Sequence, residues 1–509
     1  MESNAVSPSI AGTGIVGLDD ILGGGLPEDR LYLIKGTPGV GKTTMALQFL
    51  LEGVRLGESS LYITLSETED EIRQVADSHG WQLDGLHMYE LSSAEQVLRL
   101  DEENTLYANA DVELKETVRV LLSEVERTQP VRVVFDSLSE IRLLAQTPVR
   151  YRRQLLALKQ HFAGRRCTVL LLDDHSDAAS DVQVESLAHG VITLEQMPIA
   201  YGSDRRRVRI NKLRGRQFRT GYHDYVVKRG GLEVYPRLVA AEHNDSMTLE
   251  PLPSGIQAFD QLLGGGLDRG TATLVMGPAG AGKSAVAAQF VYAAAQRGEP
   301  AAMFVFEERL TTMLARARAL GTPLHEHVAS GRVKLHHVDP AQHAPDELTY
   351  MMRNAVARDG ARVVVIDSIN GYFAAMPEAR FLALQMHELL SFLGARGVAT
   401  ILTIAQSGGV YGPSTVPVDV SYLADSVVLL RYFESFGRVR KAISMLKKRS
   451  GMHEDMIREL VLDHGIHVGP ALTNFQGVLT GMPMIGGTPG GTPSSEPPPW
   501  VAEQVANGH

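Results

Sequence analysis

The sequence predicts an α/β protein of two tandem domains, each a mainly parallel, twisted sheet covered by helices. Three observations lead to this prediction. The chain repeats itself, each half alternates short apolar runs with segments of helical spacing, and each half carries a glycine-rich loop after its first apolar run. Alternating strands and helices are typical of parallel sheets with helical crossovers. The 509 residues are enough for each domain to bury its own core.

The two halves carry the same features in the same order. "GLDDILGGGLP" near the N-terminus returns as "GIQAFDQLLGGGLD", and "KGTPGVGKTT" returns as "MGPAGAGKSA". A repeated order of motifs indicates a tandem duplication. We predict domains at 11–243 and 244–476, a flexible N-terminus at 1–10, and a flexible tail at 477–509. The tail is rich in Gly, Pro and Ser, which disfavours a packed core, and a docking segment for another protein is the alternative.

The apolar runs fix where the glycine loops lie. "RLYLIKG" and "TATLVMG" end directly at the loops, whereas "RVVFD" and "RVVVID" are apolar throughout, as strands buried on both faces require. In such sheets, ligands bind at the carboxyl ends of the strands. The loops should therefore lie at that edge.

The composition of the chain disfavours several kinds of protein. The net charge is −10, which does not favour a nucleic-acid-binding protein. The single cysteine, Cys167, excludes an intrachain disulfide and a four-cysteine zinc site, and we expect it to be buried. The N-terminus lacks the pattern of a signal peptide, and no apolar stretch reaches the length of a membrane span. We expect a cytoplasmic protein without membrane contact.

Both glycine loops fit G-x-x-x-x-G-K-[ST], a loop whose backbone N–H groups surround phosphates. The lysine reaches the terminal phosphates, the following hydroxyl holds magnesium, and the helix N-terminus adds partial positive charge. The motif therefore predicts a nucleotide phosphate and Mg²⁺ at each loop, and the family resemblance described below implies that the nucleotide is ATP. The predicted residues are Gly36, Thr37, Pro38, Gly39, Val40, Gly41, Lys42 and Thr43 in the first half, and Gly277, Pro278, Ala279, Gly280, Ala281, Gly282, Lys283 and Ser284 in the second.

Acidic residues at the ends of other buried strands complete each predicted site. Asp136 and Asp367 end the fully apolar strands, where a second acid would help to hold the magnesium. Glu67, Glu307 and Glu308 follow the second strand of their halves and are candidates for the residue that activates the attacking group. A glutamate in a solvated loop is the alternative for each.

Taken together, these motifs resemble the KaiC family of circadian-clock ATPases and autokinases. The resemblance rests on two halves of this kind, the glycine-rich "GLDDILGGGLP", the acids after the second strand, "KLRG" in the first half and "KKRS" in the second. It implies two RecA-like P-loop domains in a homohexameric double ring, with ATP bound between neighbouring subunits. It also implies a KaiB-like regulator or signalling protein as partner.

The resemblance assigns further residues to the nucleotide. Lys212, Leu213 and Arg214 would contact the phosphates of the adjacent subunit's first site, and Lys447 and Arg449 those of its second. Ser78 and Leu320 would lie near the nucleotide in their own halves. Read without the family, "RRRVRINKLRGR" is equally a solvated basic face or a nucleic-acid patch.

This chain departs from the family at two places. Ser66 precedes Glu67 where the family has two adjacent glutamates, which predicts a slower first site, whereas Glu307 and Glu308 keep the pair. In the second half, Glu308 would be the base and a magnesium ligand, with Glu307 beside it. The family's phosphorylated serine and threonine match Ser421 and Tyr422, and a further family threonine matches Val416, so Ser421 is the one remaining acceptor.

The predicted function is ATP hydrolysis with autophosphorylation of Ser421 by the second half, in clock-like or environmental signalling. One rival is a RecA-type motor stimulated by DNA, since the same core serves motors. Stimulation of the ATPase by single-stranded DNA would favour it. The other rival is a nucleotide-gated scaffold, which predicts slow turnover and a partner bound in one nucleotide state only.

Overall fold

The computed structural model describes residues 9–91, 110–174, 185–198, 202–239, 250–374, 379–406, 422–478 and 484–485. They form two compact units. The first comprises Met1–Arg237 and Ala341–Tyr350, and the second comprises Leu238–Pro340 and Met351–His509.

The first half of the chain contains eleven strands and six helices among its described residues. Its strands are β1 (Ile10–Ala11), β2 (Leu26–Pro27), β3 (Leu31–Gly36), β4 (Ser60–Thr64), β5 (Leu86–Glu90), β6 (Arg132–Asp136), β7 (Thr168–Asp174), β8 (Gly190–Met197), β9 (Arg205–Leu213), β10 (Tyr222–Lys228) and β11 (Gly231–Tyr235). Its helices are α1 (Val16–Leu22), α2 (Lys42–Arg55), α3 (Glu69–His79), α4 (Ala110–Thr128), α5 (Leu138–Ala145) and α6 (Pro148–Phe162).

The second half of the chain repeats this series. Its strands are β12 (Pro251–Leu252), β13 (Leu267–Asp268), β14 (Ala272–Gly277), β15 (Ala301–Val305), β16 (Val333–His337), β17 (Val363–Asp367), β18 (Ala399–Ala405), β19 (Ser426–Ser435), β20 (Arg438–Lys448), β21 (Arg458–Leu462), β22 (Ile466–Ala471), β23 (Phe475–Gln476) and β24 (Met484–Ile485). Its helices are α7 (Gln257–Leu262), α8 (Lys283–Gln296), α9 (Leu310–Ala319), α10 (Leu324–Ala329), α11 (Pro345–Ala357), α12 (Ile369–Ala374) and α13 (Ala379–Ala395).

Each unit is built on a nine-stranded sheet, and the two sheets have the same strand order. The first is β11-β10-β9-β8-β3-β7-β6-β4-β5, and the second, read from the corresponding edge, is β22-β21-β20-β19-β14-β18-β17-β15-β16. Strands β3 to β8, six in all, are parallel in the first sheet, whereas β9, β10 and β11 continue it antiparallel. The predicted α/β class with a mainly parallel sheet is confirmed, and the antiparallel extension is an addition to it.

The apolar strands form the core, as the sequence predicts. Val133, Val134 and Phe135 of β6 are fully buried, and so are Val363 to Ile366 of β17. Since both faces of these strands are covered by helices, every position along them must be apolar. Cys167 is also buried, and burial raises the pKa of its thiol to about 12. Throughout the described ranges, no helix combines the length and the hydropathy needed to cross a bilayer.

Candidate nucleotide-binding sites

Both glycine loops connect a central strand to a helix. The first runs from the end of β3 to the start of α2 at Lys42, and the second from the end of β14 to the start of α8 at Lys283. Gly41 has a φ of 99°, and a β-carbon there would lie 3.2 Å from Val227. Gly282 has a φ of 108° and would meet Leu462 at 2.8 Å. Only glycine fits this backbone, which turns N–H groups inward at a helix N-terminus.

The two loop lysines are buried against their own loops. Lys42 Nζ donates to the carbonyls of Gly36 at 2.8 Å and Thr37 at 3.2 Å. Lys283 Nζ donates to the corresponding carbonyls of Gly277 at 3.0 Å and Pro278 at 2.8 Å. Burial lowers the pKa of Lys283, against the opposite effect of the nearby Asp367 and Glu307 charges. Both ammonium groups are therefore held inside their own glycine loops.

Asp136 meets the hydroxyl that follows the first lysine. Thr43 Oγ1 donates to Asp136 Oδ2 at 3.0 Å, and the hydroxyl of Tyr62 donates to the same oxygen at 2.5 Å. Burial raises the pKa of Asp136, and the two hydrogen bonds and the Lys42 charge oppose that effect. A hydroxyl and a carboxylate held together beside a phosphate loop are the oxygen ligands that magnesium prefers.

Glu67 extends the acidic side of the first site. The hydroxyl of Thr64 accepts from the Glu67 amide at 3.1 Å and donates to its carbonyl at 2.6 Å, which fixes the turn after β4. Burial raises the pKa of Glu67, and the Asp136 charge adds to the effect. Glu67 Oε2 is buried and has no hydrogen-bond partner among the described residues. A group of this kind is a good proton acceptor.

The second site holds its acids with different partners. The Thr403 hydroxyl donates a hydrogen bond to Asp367 Oδ1, and the Ser368 hydroxyl donates one to Glu307 Oε1 at 2.8 Å. Glu308 instead lies against helix α9, where its carboxylate pairs with Arg316 at 2.7 Å. Of the two adjacent glutamates, Glu307 is therefore the one near Lys283 and Asp367.

Sequence reasoning did not single out several side chains that shape these sites. They are Tyr62, Thr64, Asp174, Arg316 and Thr403. Asp174 had a readable signal, because "TVLLLDD" is an apolar strand that ends in acids at the same sheet edge as the loops. The others contact the sites through neighbouring strands or helices, and nothing in their local sequence predicts this.

Comparison with known proteins shows the family of this chain. The family model for the KaiC ATPase matches residues 11–239 and 252–473, which is most of the chain in two copies. This chain belongs to the KaiC ATPase family. The circadian clock protein KaiC3 of Synechocystis sp. (strain ATCC 27184 / PCC 6803 / Kazusa) is 26% identical, over 93% of this chain and 94% of that protein. The circadian clock oscillator protein KaiC of Acaryochloris marina is 25% identical, over 95% and 92%.

Membership of the KaiC family confirms the resemblance and the two tandem RecA-like domains. Both glycine loops lie within the residues that the ATPase family model matches. The circadian clock oscillator protein KaiC of Thermostichus vulcanus has a similar level of identity, 25% over 92% of this chain.

In the first unit, the basic residues of the "KLRG" motif contact the segment that precedes β8. Lys212 Nζ donates to the carbonyls of Glu185 and Ala188, both at 2.7 Å, and Arg214 donates to the carbonyl of Ser186 at 3.0 Å. Leu213 is buried in the core. These contacts are made within the subunit, so the predicted reach to a neighbour's phosphates stays a prediction.

The second unit anchors its basic residues in the same way. Lys447 Nζ donates to the carbonyl of Ala424 at 2.6 Å, and Arg449 donates to the carbonyl of Tyr422 at 3.1 Å. Tyr422 is exposed. Ser421, the predicted phosphorylated residue, and Val416 lie outside the described residues, as does nearly all of the predicted tail.

Ser78 and Leu320, the two other residues predicted to lie near the nucleotide, are at the C-terminal ends of the corresponding helices α3 and α9. Ser78 is in the last turn of α3, is exposed, and donates to the carbonyl of Val75 at 2.7 Å. Leu320 follows the last residue of α9 and packs partly buried against the core. A role for either in nucleotide binding stays a prediction.

Within β9, the basic stretch alternates between inward and outward side chains. Val208 and Ile210 are buried, whereas Arg207 pairs with Glu195 at 2.7 Å and stacks over Tyr222 at 3.8 Å. This pairing uses part of the positive charge inside the unit, and it gives no support to a nucleic-acid surface.

Proposed function

We propose that this protein hydrolyses ATP at both glycine loops and transfers a phosphoryl group to Ser421 from its second site. The observation that carries the ATPase part of the proposal is the first site, where Lys42, Thr43, Asp136 and Glu67 come together from three different strand ends. A phosphate-binding lysine, a hydroxyl–carboxylate pair and an unpartnered glutamate oxygen are the groups that nucleotide hydrolysis needs.

The residues fit Mg²⁺ and ATP. Thr43 with Asp136, and Ser284 with Asp367, would hold the metal, and Glu308 would join them if it left Arg316. Bound magnesium neutralises charge on the phosphates. The lysines and the inward N–H groups bind and orient the triphosphate, so that the attacking oxygen is aligned with the bond to be broken.

The proton acceptors are the glutamates after the second strand. In the first site, Glu67 takes a proton from the attacking water. In the second site, we assign this role to Glu307 rather than Glu308, because the Glu308 carboxylate is neutralised by Arg316. When Ser421 is the acceptor, its Oγ forms a bond to the γ-phosphorus, the bond from that phosphorus to ADP breaks, and the hydroxyl proton moves to the glutamate.

We also propose a homohexameric double ring in which Lys212, Arg214, Lys447 and Arg449 complete the neighbouring subunit's site. The support is the matching position of both basic pairs in the two units. Positive charge supplied in trans stabilises the charge on the transferring phosphoryl group. A KaiB-like regulator as partner, a role in clock-like or environmental signalling, and the cytoplasmic location remain proposals at the same level.

The test combines turnover, phosphorylation and assembly. The full-length protein is incubated with labelled ATP and Mg²⁺, phosphate release is followed, and modified residues are mapped by mass spectrometry. We expect ATP turnover and a phosphate on Ser421 that is absent from the Ser421→Ala variant. Turnover with unmodified Ser421 would remove the kinase proposal and leave the ATPase.

Assembly is tested separately by native mass measurement with and without Mg·ATP. We expect a hexamer with nucleotide bound. Full turnover by a single subunit at saturating Mg·ATP would remove the shared-site proposal and, with it, the roles given to Lys212, Arg214, Lys447 and Arg449.

A further inference from the structure

An aspartate at the first site contacts the phosphate-binding lysine. Asp174 is the last residue of β7, and the sheet register places it opposite Gly36 at the start of the glycine loop. Its Oδ1 lies 2.8 Å from Lys42 Nζ, and its Oδ2 accepts from the Ser139 hydroxyl at 3.0 Å. Each carboxylate oxygen of Asp174 therefore has a partner, and the side chain is 43% exposed.

The second site has no charge at the corresponding position. Ala405 ends β18 and lies opposite Gly277 in the same register. Its backbone N–H donates to Asn370 Oδ1 at 2.8 Å, and Asn370 follows Asp367 at the same sequence spacing as Ser139 follows Asp136. The two sites thus share a backbone but differ by one carboxylate next to the loop lysine.

We propose that Asp174 sets the nucleotide preference of the first site by weakening the binding of a triphosphate relative to a diphosphate. This inference rests on the proposed function, in which Lys42 contacts the terminal phosphates. Asp174 Oδ1 lies 2.8 Å from Lys42 Nζ. A phosphate oxygen bound to Lys42 Nζ at that same distance would lie no farther than twice that distance from Asp174 Oδ1. Like charges that close repel, and a triphosphate brings one more negative charge to this place than a diphosphate does.

Neighbouring charges strengthen the effect. The charge of Asp174 adds to the raised pKa values of Glu67 and Asp136, the two other carboxylates of the first site. In the second site, the charges of Asp367 and Glu307 act on Lys283. At the strand position next to the loop, the first site therefore has a carboxylate, Asp174, where the second has Ala405.

The competing explanation is that Asp174 only holds the loop in shape. A shape effect would change the affinities for diphosphate and triphosphate by the same factor. A charge effect changes them by different factors, because the repulsion depends on the number of phosphates near Lys42. The ratio of the two affinities therefore distinguishes the explanations.

The test uses full-length protein with Lys283→Ala, which leaves the first site for nucleotide. Dissociation constants are measured by titration calorimetry with Mg·ADP and with the Mg²⁺ complex of the β,γ-imido analogue of ATP, before and after adding Asp174→Asn. We expect the analogue to bind about tenfold tighter and ADP to change by a smaller factor. Equal factors, or no change, would overturn the inference while leaving the ATPase proposal intact.

Loss of all nucleotide binding in the Lys283→Ala protein would instead overturn the proposed function of the first site, and this inference with it.

The reciprocal variant adds a second test. Ala405→Asp in a Lys42→Ala background places a carboxylate beside Lys283, and the analogue should then bind less tightly relative to ADP. An unchanged ratio in a variant whose thermal unfolding is unchanged would contradict the inference.

Discussion

The two nucleotide sites have the same backbone and different side-chain partners. In the first, Asp136 is held by Tyr62 from the neighbouring strand β4. In the second, Asp367 is held by Thr403 from β18, on the other side of its strand. The loops, the lysines and the aspartates are common to both. The fold places a glycine loop at the same sheet edge in both units, while the charge on the adjacent strand differs, since Asp174 ends β7 where Ala405 ends β18.

The largest expected effect is loss of a loop lysine. Lys42→Ala should reduce turnover at the first site by about 100-fold or more, and Lys283→Ala should do the same at the second, because each removes the cation at the terminal phosphates. Steady-state phosphate release from each single variant should equal the rate of the remaining site, and release from the double variant should be about 100-fold or more below that of the unmodified protein. Lys334→Ala is the control, since Lys334 is half-exposed and pairs with Asp359 far from either loop in sequence. Activity retained in the Lys42→Ala, Lys283→Ala double variant would contradict the assignment.

The second largest effect is expected from substituting the glutamates, because each proposed proton acceptor serves only one of the two sites. Glu67→Gln in a Lys283→Ala background, and Glu307→Gln in a Lys42→Ala background, should each slow turnover by about 100-fold, because the proton acceptor is lost. Glu308→Gln should cost less than about tenfold, since its carboxylate pairs with Arg316. Single-turnover rates give the comparison, and a larger loss in Glu308→Gln than in Glu307→Gln would reverse the roles.

The third effect is on pH dependence at the first site. Burial, followed by the charge of Asp136, raises the pKa of Glu67, and the charge of Asp174 adds to this. Because the base acts only when deprotonated, turnover should fall on acidification at a higher pH than for an exposed glutamate. Asp174→Asn removes a raising charge and should move this fall to lower pH. The measurement is a pH–rate profile in the Lys283→Ala background, and a shift to higher pH would refute it.

The smallest effect concerns the hydroxyls that hold the two aspartates. Tyr62→Phe and Thr403→Val each remove a hydrogen bond to a buried carboxylate, and each should lower the free energy of unfolding of its own unit by about 1 to 3 kcal/mol. Urea unfolding followed by hydrogen exchange measures the units separately. Destabilisation of the second unit by Tyr62→Phe would show that the hydrogen bond does not act locally.

The sequence alone predicts the parts of the sites that depend on local chemistry. A glycine loop such as Gly36–Thr43 can be read because its backbone tolerates few other residues, and Asp136 can be read because it ends a fully apolar strand. Pairs such as Asp174 with Lys42, or Glu308 with Arg316, depend on how strands and helices meet in space. The position of the antiparallel strands β9 to β11 also depends on tertiary structure, because an alternating apolar pattern predicts a strand but not the sheet that it joins.

The most direct test of the central claim, two ATP sites of unequal chemistry, is the number and affinity of nucleotides bound per chain. Titration with the β,γ-imido analogue of ATP and Mg²⁺ should give two nucleotides per chain in two affinity classes. Lys42→Ala and Lys283→Ala should each leave one, and the weaker class should remain in Lys283→Ala. A single nucleotide per chain, or two of equal affinity, would contradict the account.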